Sequence, residues 1–483
     1  MQLNIIPKPN KAEFYGGEVW IKDLPVRYET NDLHPEEYYC LEIKKDEIVI
    51  TSKGEKGRYY AHLSLSQLEE TGKVPLMKIT DMPAFPYRGF MIDSARHMQS
   101  VDEIKRYIEA AARYKMNIFH WHLCDDQGWR IESEKHPLLN QKGSWRDCHG
   151  FGSKNMQTYG GYYTKEEIRE VVAFCKERFI DVIPEFDLPG HTTAIISTYP
   201  ELSCRGVQVP VETVGGIFKN ILCAGNDEVF SFCFDIIDEL CELFPYPFMH
   251  IGGDEAPKAR WCNCEKCQKR IKDEGLENEE QLQGWFANRI IAYLKDKGYT
   301  ALAWNESLNS GIIDSDTIIC DWMDRTKKCV PYANGGGKII IEDFYHYYLD
   351  YVYGMTPLKK TYGYNPYLDG LTEEGKKNVL GVEAPIWTEY VEDFDRMSYM
   401  CFPRLIAVAE RGWTEAEKAD YASFKVRVKN QKDFLASLGI TLCDESEWDP
   451  NALIRVKETV GRLVRSITPA SIMATVFPNV DEK

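Results

Sequence analysis

The spacing of apolar residues changes at about residue 84, and that change divides the chain. Before it, LEIKKDEIVIT alternates apolar and polar positions as half-buried strands do. GRYYAHLSLSQLEET then spaces Tyr60, Leu63, Leu65 and Leu68 as a helix does. Together with IIPKP, these segments read as a small α+β domain over residues 1–83. Pro83, Pro86 and Gly89 in DMPAFPYRG mark a linker and a new start. Beyond it, short apolar runs alternate with amphipathic segments. The runs at 87–93, 117–123, 180–186, 248–253, 300–305, 317–323, 338–344 and 378–387 read as buried strands. VDEIKRYIEAAARYK, KEEIREVVAFCKERF and NEEQLQGWFANRIIAYLKDKG read as helices between them. Eight such units without a glycine-rich dinucleotide fingerprint predict an α/β fold of the (β/α)8 barrel type over 84–415. Residues 416–483 read as a helical C-terminal extension. Its Leu453, Val456, Val460, Leu463, Val464 and Ile467 share one face, which is expected to pack on the barrel.

Composition narrows the function. The chain has 58 Lys and Arg against 75 Asp and Glu, a formal charge of −17, which argues against a nucleic-acid or anionic-membrane partner. Apolar residues at 44% and charged residues at 28% exclude disorder as the main state. No run of apolar residues is long enough to span a bilayer, and the N-terminus lacks the pattern of a signal peptide. Fifteen Cys, an odd number, then read as reduced thiols of a cytoplasmic protein. With 11 Trp and 28 Tyr, the aromatic content exceeds what a core requires, and flat stacking surfaces are one use for the excess.

In a (β/α)8 barrel the chemistry sits where strands end, and here the strand ends are acidic and aromatic. In order they offer Asp93 and Arg96; His120, His122, Asp125 and Asp126; Glu185, Asp187 and His191; and Asp254-Glu255. Then come Trp304 and Glu306, Asp321 and Trp322, Tyr348 and Asp350, and Trp387 and Glu389. Indole and phenol faces stack on the C–H faces of pyranoses, carboxylates and Arg bind hydroxyls, and a carboxylic acid can protonate a glycosidic oxygen. Asp254-Glu255 is the leading acid pair, because two glycines before it allow a ligand close approach to the backbone.

RGFMIDSARH, HWHLCDDQGWRIE, PEFDLPGHT, HIGGDE, WNE, YYLD and GVEAPIWTEY occur in the order found in family 20 glycoside hydrolases. The chain therefore resembles the β-N-acetylhexosaminidases up to about residue 415. The resemblance implies an exo-acting, retaining enzyme in which the substrate's 2-acetamido group is the nucleophile and an oxazolinium ion the intermediate. It makes Glu255 the general acid and base, with Asp254 and Tyr348 holding the acetamide and Asp125 and His191 coupled to the acid. Trp304, Trp322 and Trp387 are expected to wall the pocket. Arg96, Asp350 and Glu389 are expected to bind the non-reducing hydroxyls of a terminal GlcNAc or GalNAc. No cofactor is implied.

Three other readings compete. A lacto-N-biosidase uses the same fold with a roomier pocket. His120 and His122, at a strand end, are compatible with a metal-dependent amidohydrolase, although strands five to eight offer no His directly, His346 being the nearest. A sugar-binding protein without chemistry has no use for Glu255, Asp254 and Tyr348 together. Separately, Cys262, Cys264 and Cys267 include a C-x2-C pair. It suits zinc only if a second pair joins it, for which Cys148 or His149 are candidates; otherwise these are loop thiols.

Overall fold

The computed structural model describes residues 3–70, 72–147 and 158–466, apart from the side chains of residues 463 and 465. Its N-terminal domain is a five-stranded sheet. The strands Lys11–Trp20, Lys73–Asp81, Tyr39–Ile43, Ile48–Ser52 and Val26–Thr30 lie side by side in that order. Helix Glu55–Glu69 packs on the sheet through Tyr60, Ala61, Leu65 and Leu68. The same cluster takes in Trp413, which comes from the last barrel helix, so the two domains share a core. Lys115 is buried at this junction, with Nζ donating to Tyr39 Oη at 2.9 Å and Ser64 Oγ at 2.8 Å and lying 3.6 Å from Asp81.

Eight parallel strands close the expected barrel: Tyr87–Asp93, Ile118–His122, Asp181–Glu185, Phe248–His250, Thr300–Trp304, Ile318–Asp321, Ile339–Ile341 and Val379–Ile386. They are called barrel strands one to eight below. Helix starts are set by local chemistry. Ser100 with Glu103 and Thr164 with Glu167 form capping boxes that begin the helices Val101–Arg113 and Lys165–Lys176. Among the described residues, no helix is long and apolar enough to cross a membrane.

Side chains alternate along a strand, so every second residue enters the barrel. Tyr87, Ile118, Ile183, Leu302, Ile318 and Ile340 form an apolar cluster inside. Two residues further along the strands the interior turns polar. His120, Glu185, Trp304, Cys320 and Glu342 take these positions, and His250 and Glu383 join them. Most inward-facing charged groups thus sit in the strand C-terminal half, beneath the face where ligands bind, with Asp181 at the opposite end of the barrel an exception.

The C-terminal helix departs from expectation. Helix Ala452–Ser466 forms, but Leu453, Val456, Val460 and Val464 are 83%, 63%, 53% and 64% exposed. The side chain of Leu463, and Ile467 altogether, lie outside the described residues. The polar side of the helix holds the barrel instead: Glu458 accepts from the Gly354 N–H at 2.7 Å, and Arg455 Nε donates to Gly354 O at 3.1 Å. Periodicity located the helix but could not say which face docks. Docking follows hydrogen bonds to the Gly354 loop.

Candidate active site

A cleft of about 600 Å³, part of it open to solvent, lies at the C-terminal end of the barrel. Arg96, Asp125, His191, Asp254, Glu255, Trp322, Tyr348, Asp350, Trp387 and Glu389 line it, so ten of the eleven expected site residues converge on one place. Trp304 lies one layer beneath. It is buried, its Nε1 donates to Glu185 at 2.9 Å, and its ring rests 6.1 Å from that of Trp387. It supports the wall instead of forming it.

The segment after barrel strand four shows why its sequence is GGDE. Gly252, Gly253 and Glu255 have φ of +67°, +104° and +42°. A Cβ on Gly252 would stand 1.6 Å from Asp187 Oδ1, and one on Gly253 would stand 2.5 Å from Ser307 Oγ. Asp187 instead accepts the Gly253 N–H at 3.1 Å, which fixes the turn that presents the two acids. The positive φ of Glu255 is a strained conformation held by this packing. Gly252→Ala is accordingly expected to add about 1–3 kcal/mol of backbone strain to the steric clash. Nearly all turnover should vanish and the melting temperature should fall, as initial rates and calorimetry will read.

Beneath the acids lies a charge relay of buried groups. Arg96 Nη2 contacts Asp125 Oδ2 at 2.7 Å, and His191 Nδ1 lies 3.1 Å from Asp125 Oδ1. The other ring nitrogen of His191 stands 3.6 Å from Asp254 Oδ2 and 3.8 Å from Glu255 Oε2. Burial works against ionised Asp125, but Arg96 and His191 hold its carboxyl well below the usual range. Burial likewise opposes a charged His191, yet Asp125 and Asp254 keep it well above its ordinary value. Glu255 responds to both effects. Burial pushes it up to about 7, with His191 pulling it down and Asp254 adding to the rise. It is therefore poised to give and take a proton near neutrality.

His120 and His122 are committed elsewhere. His120 Nδ1 meets Glu383 at 2.7 Å and its Nε2 lies 3.2 Å from Glu185, while His122 is held between Glu185 and Asp125. Glu185 also receives His250 at 2.9 Å. This buried network fixes the ends of four strands, and both histidines of the pair serve it.

Aromatic rings form the wall. Trp322 and Tyr348 stack with centroids 6.1 Å apart at 19°, and Arg96 lies 5.1 Å over Trp387. Glu306 braces this side by accepting Trp322 Nε1 at 2.9 Å; burial, with the negative charge of Asp254, pushes its own carboxyl up to about 8. Several buried polar atoms of the cleft have no hydrogen-bond partner: Asp254 Oδ1, His191 Nε2 and Asp350 Oδ1. Such atoms are costly unless something binds them.

One cleft residue was not anticipated. Arg462, from the C-terminal helix, lines the cleft, and its Nη2 reaches Asp350 Oδ2 at 3.3 Å. Its guanidinium lies 4.0 Å from the Tyr390 ring. Burial raises the Asp350 carboxyl to about 7, with Arg462 opposing the rise and Glu389 reinforcing it. No sequence motif marks Arg462, because only the docking of a remote helix brings it here. Arg462→Ala is expected to lower kcat/KM about tenfold or more, as loss of a charged hydrogen-bond partner of about 1.5–3 kcal/mol implies. Most of the change should appear in KM, measurable by initial rates.

Comparison with known proteins agrees with this geometry. The profile of Glycosyl hydrolase family 20, catalytic domain, matches residues 85–416. A β-hexosaminidase of Porphyromonas gingivalis is 38% identical over 417 residues, covering 82% of this chain and 53% of that protein. The chain thus spans about half the length of that curated relative. A solved β-N-acetylhexosaminidase superposes with a TM-score of 0.87 at 30% identity, covering 93% of this chain and 99% of the other. The exo β-N-acetylglucosaminidase of Vibrio harveyi, solved in complex with N-acetylglucosamine, gives 0.83 at 29% identity, with coverages of 92% and 78%.

Proposed function

Since the chain belongs to glycosyl hydrolase family 20, we propose that it removes terminal β-linked GlcNAc or GalNAc from oligosaccharides by substrate-assisted catalysis. The observation that carries this reading is the unpartnered Asp254 Oδ1 beside a general acid poised near pH 7, with Tyr348 lining the same cleft.

The sugar ring is held against Trp322 and Trp387, and Asp350, Glu389 and Arg96 hold its outer hydroxyls. Asp254 accepts the acetamide N–H, and the Tyr348 hydroxyl donates to the acetamide oxygen. Held from both ends, that oxygen attacks C1 while Glu255 protonates the departing glycosidic oxygen. The C1–O bond breaks and an oxazolinium forms. Glu255, now ionised, takes a proton from water as the water attacks C1, and the ring opens with retention. The His191 cation steadies the ionised Glu255 between the two steps.

The test compares 4-nitrophenyl β-glycosides of GlcNAc, GalNAc and glucose, with a thiazoline inhibitor alongside. The acetamido sugars should be hydrolysed at least about a thousandfold faster than the glucoside, in keeping with an internal nucleophile of high effective concentration. The thiazoline should compete. Comparable rates on the glucoside would overturn the mechanism.

A further inference from the structure

The region behind the strand-three and strand-four loops gathers four cysteines from distant points in the sequence. Cys204, Cys223, Cys264 and Cys267 place their sulfurs within 4.8 Å of one another. The Cys204–Cys267 and Cys223–Cys264 separations are both 3.7 Å, and Cys223–Cys267 is 3.6 Å. Four sulfurs bound at 2.3 Å around one tetrahedral ion lie about 3.8 Å apart. The cluster therefore already has the dimensions of a tetrathiolate metal site.

The backbone around the cluster is built to the same shape. Cys223 N–H donates to Leu202 O at 2.8 Å, and Ser203 bridges to Leu222, so Cys204 and Cys223 close the segment between them at its neck. Cys264 caps helix Glu265–Asp273 and Cys267 sits in its first turn, which gives the C-x2-C spacing of a zinc knuckle. Between the two pairs Gly225 passes so close that a Cβ there would stand 2.2 Å from the Lys266 carbonyl carbon. Trp261 Nε1 donates to Leu222 O at 2.9 Å across the same gap. Cys223, Cys264 and Cys267 are buried and Cys204 is half-buried, which leaves no open coordination position for a substrate.

We propose that Cys204, Cys223, Cys264 and Cys267 bind one structural zinc ion as thiolates. The second pair that C264-x2-C267 requires is thus Cys204 and Cys223. Cys148 and His149, the candidates from sequence, lie outside the described residues. Four soft sulfur ligands in a closed tetrahedron select zinc over hard cations. The ion ties the segment after barrel strand three, which carries His191, to the segment after strand four, which carries Asp254-Glu255. The tied segment also reaches the cleft rim. Val214 O accepts from Gln127 Nε2 at 2.8 Å, and Gln127 Oε1 accepts from Arg96 Nε at 2.7 Å.

The test is metal analysis of the whole chain, produced without a metal-binding tag in zinc-supplemented medium. About one zinc per chain is expected, released in step with titration of thiols by a mercurial, because the thiolates are its ligands. The double variant Cys264→Ser, Cys267→Ser should lose the metal and melt several degrees lower. Cys262→Ser, which alters the exposed neighbouring thiol, should keep both metal and melting temperature. Metal-free protein with four titratable thiols, or with disulfides among these cysteines in peptide maps, would overturn the proposal. So would zinc retained by the double variant, or iron in place of zinc. If the double variant does not fold, the metal content and thiol-coupled release of the unaltered chain decide the matter alone.

Discussion

Glu255→Gln is expected to lower kcat/KM by about 10²–10⁴-fold on a β-linked disaccharide, the range for loss of a positioned general acid. On a 4-nitrophenyl glycoside, whose leaving group needs little protonation, the first step should suffer less. The amide cannot serve as base in the second step, so the intermediate should accumulate and give a burst of nitrophenol. The pH profile supplies an independent reading. Glu255 must be protonated to act, and its carboxyl lies at about 7, so kcat/KM should decline as pH rises through 7. Replacing His191 by Ala removes a charge that pulls Glu255 down, so this alkaline limb should move upward. Stability carries the same sign. A carboxyl raised in the folded state favours folding at low pH and loses that contribution as pH climbs from its unfolded value of about 4.3 toward 7. The Gln variant should therefore melt higher than the parent above pH 7, by calorimetry, even as its activity collapses.

Asp254→Asn is the second large effect expected. The acid offers the acetamide N–H an anionic acceptor and faces the positive charge that develops on the oxazolinium ring. Asparagine keeps the shape and removes the charge. A loss of about 10²–10³ in kcat is expected, the cost of one preorganised electrostatic partner in a water-poor site. KM should change little, because the charge on the acetamide appears only as the reaction proceeds. The variant should also relax its neighbours, since Asp254 is among the causes that push Glu306 and Asp187 upward. Initial rates with β-GlcNAc substrates across pH test both points. An unchanged kcat would remove Asp254 from the mechanism.

These two acids were legible from sequence because the reasons for their placement are local. Gly252 and Gly253 take the positive φ that the turn requires, and they stand directly before the acids in the chain. The eight strands were legible because a parallel barrel buries both faces of each strand, and buried runs are conspicuous. What stayed hidden depends on contacts between distant segments. Trp304 and Trp387 both end strands and read alike, but only packing in three dimensions puts one beneath the other. The face of helix Ala452–Ser466 that meets the barrel is the polar one, contrary to the pattern of its apolar residues. Arg462 enters the cleft as a result, and no spacing rule predicts an arginine there.

That arginine separates two boundaries that are usually treated as one. The match to the family's catalytic domain stops at residue 416, yet a cation lining the cleft comes from 46 positions further on. A chain ended at residue 450, just before helix Ala452–Ser466, would keep all eight strands, the Asp254-Glu255 turn, the relay beneath it and the core residues Phe424, Val428, Leu435 and Trp448, and would lose Arg462. It should keep its chemistry with a weakened grip, so this shortened chain should turn over a concentrated synthetic glycoside while failing on a dilute natural glycan. How far the functional unit extends is therefore set by what lines the cleft, and the barrel alone is a smaller object than the site it carries.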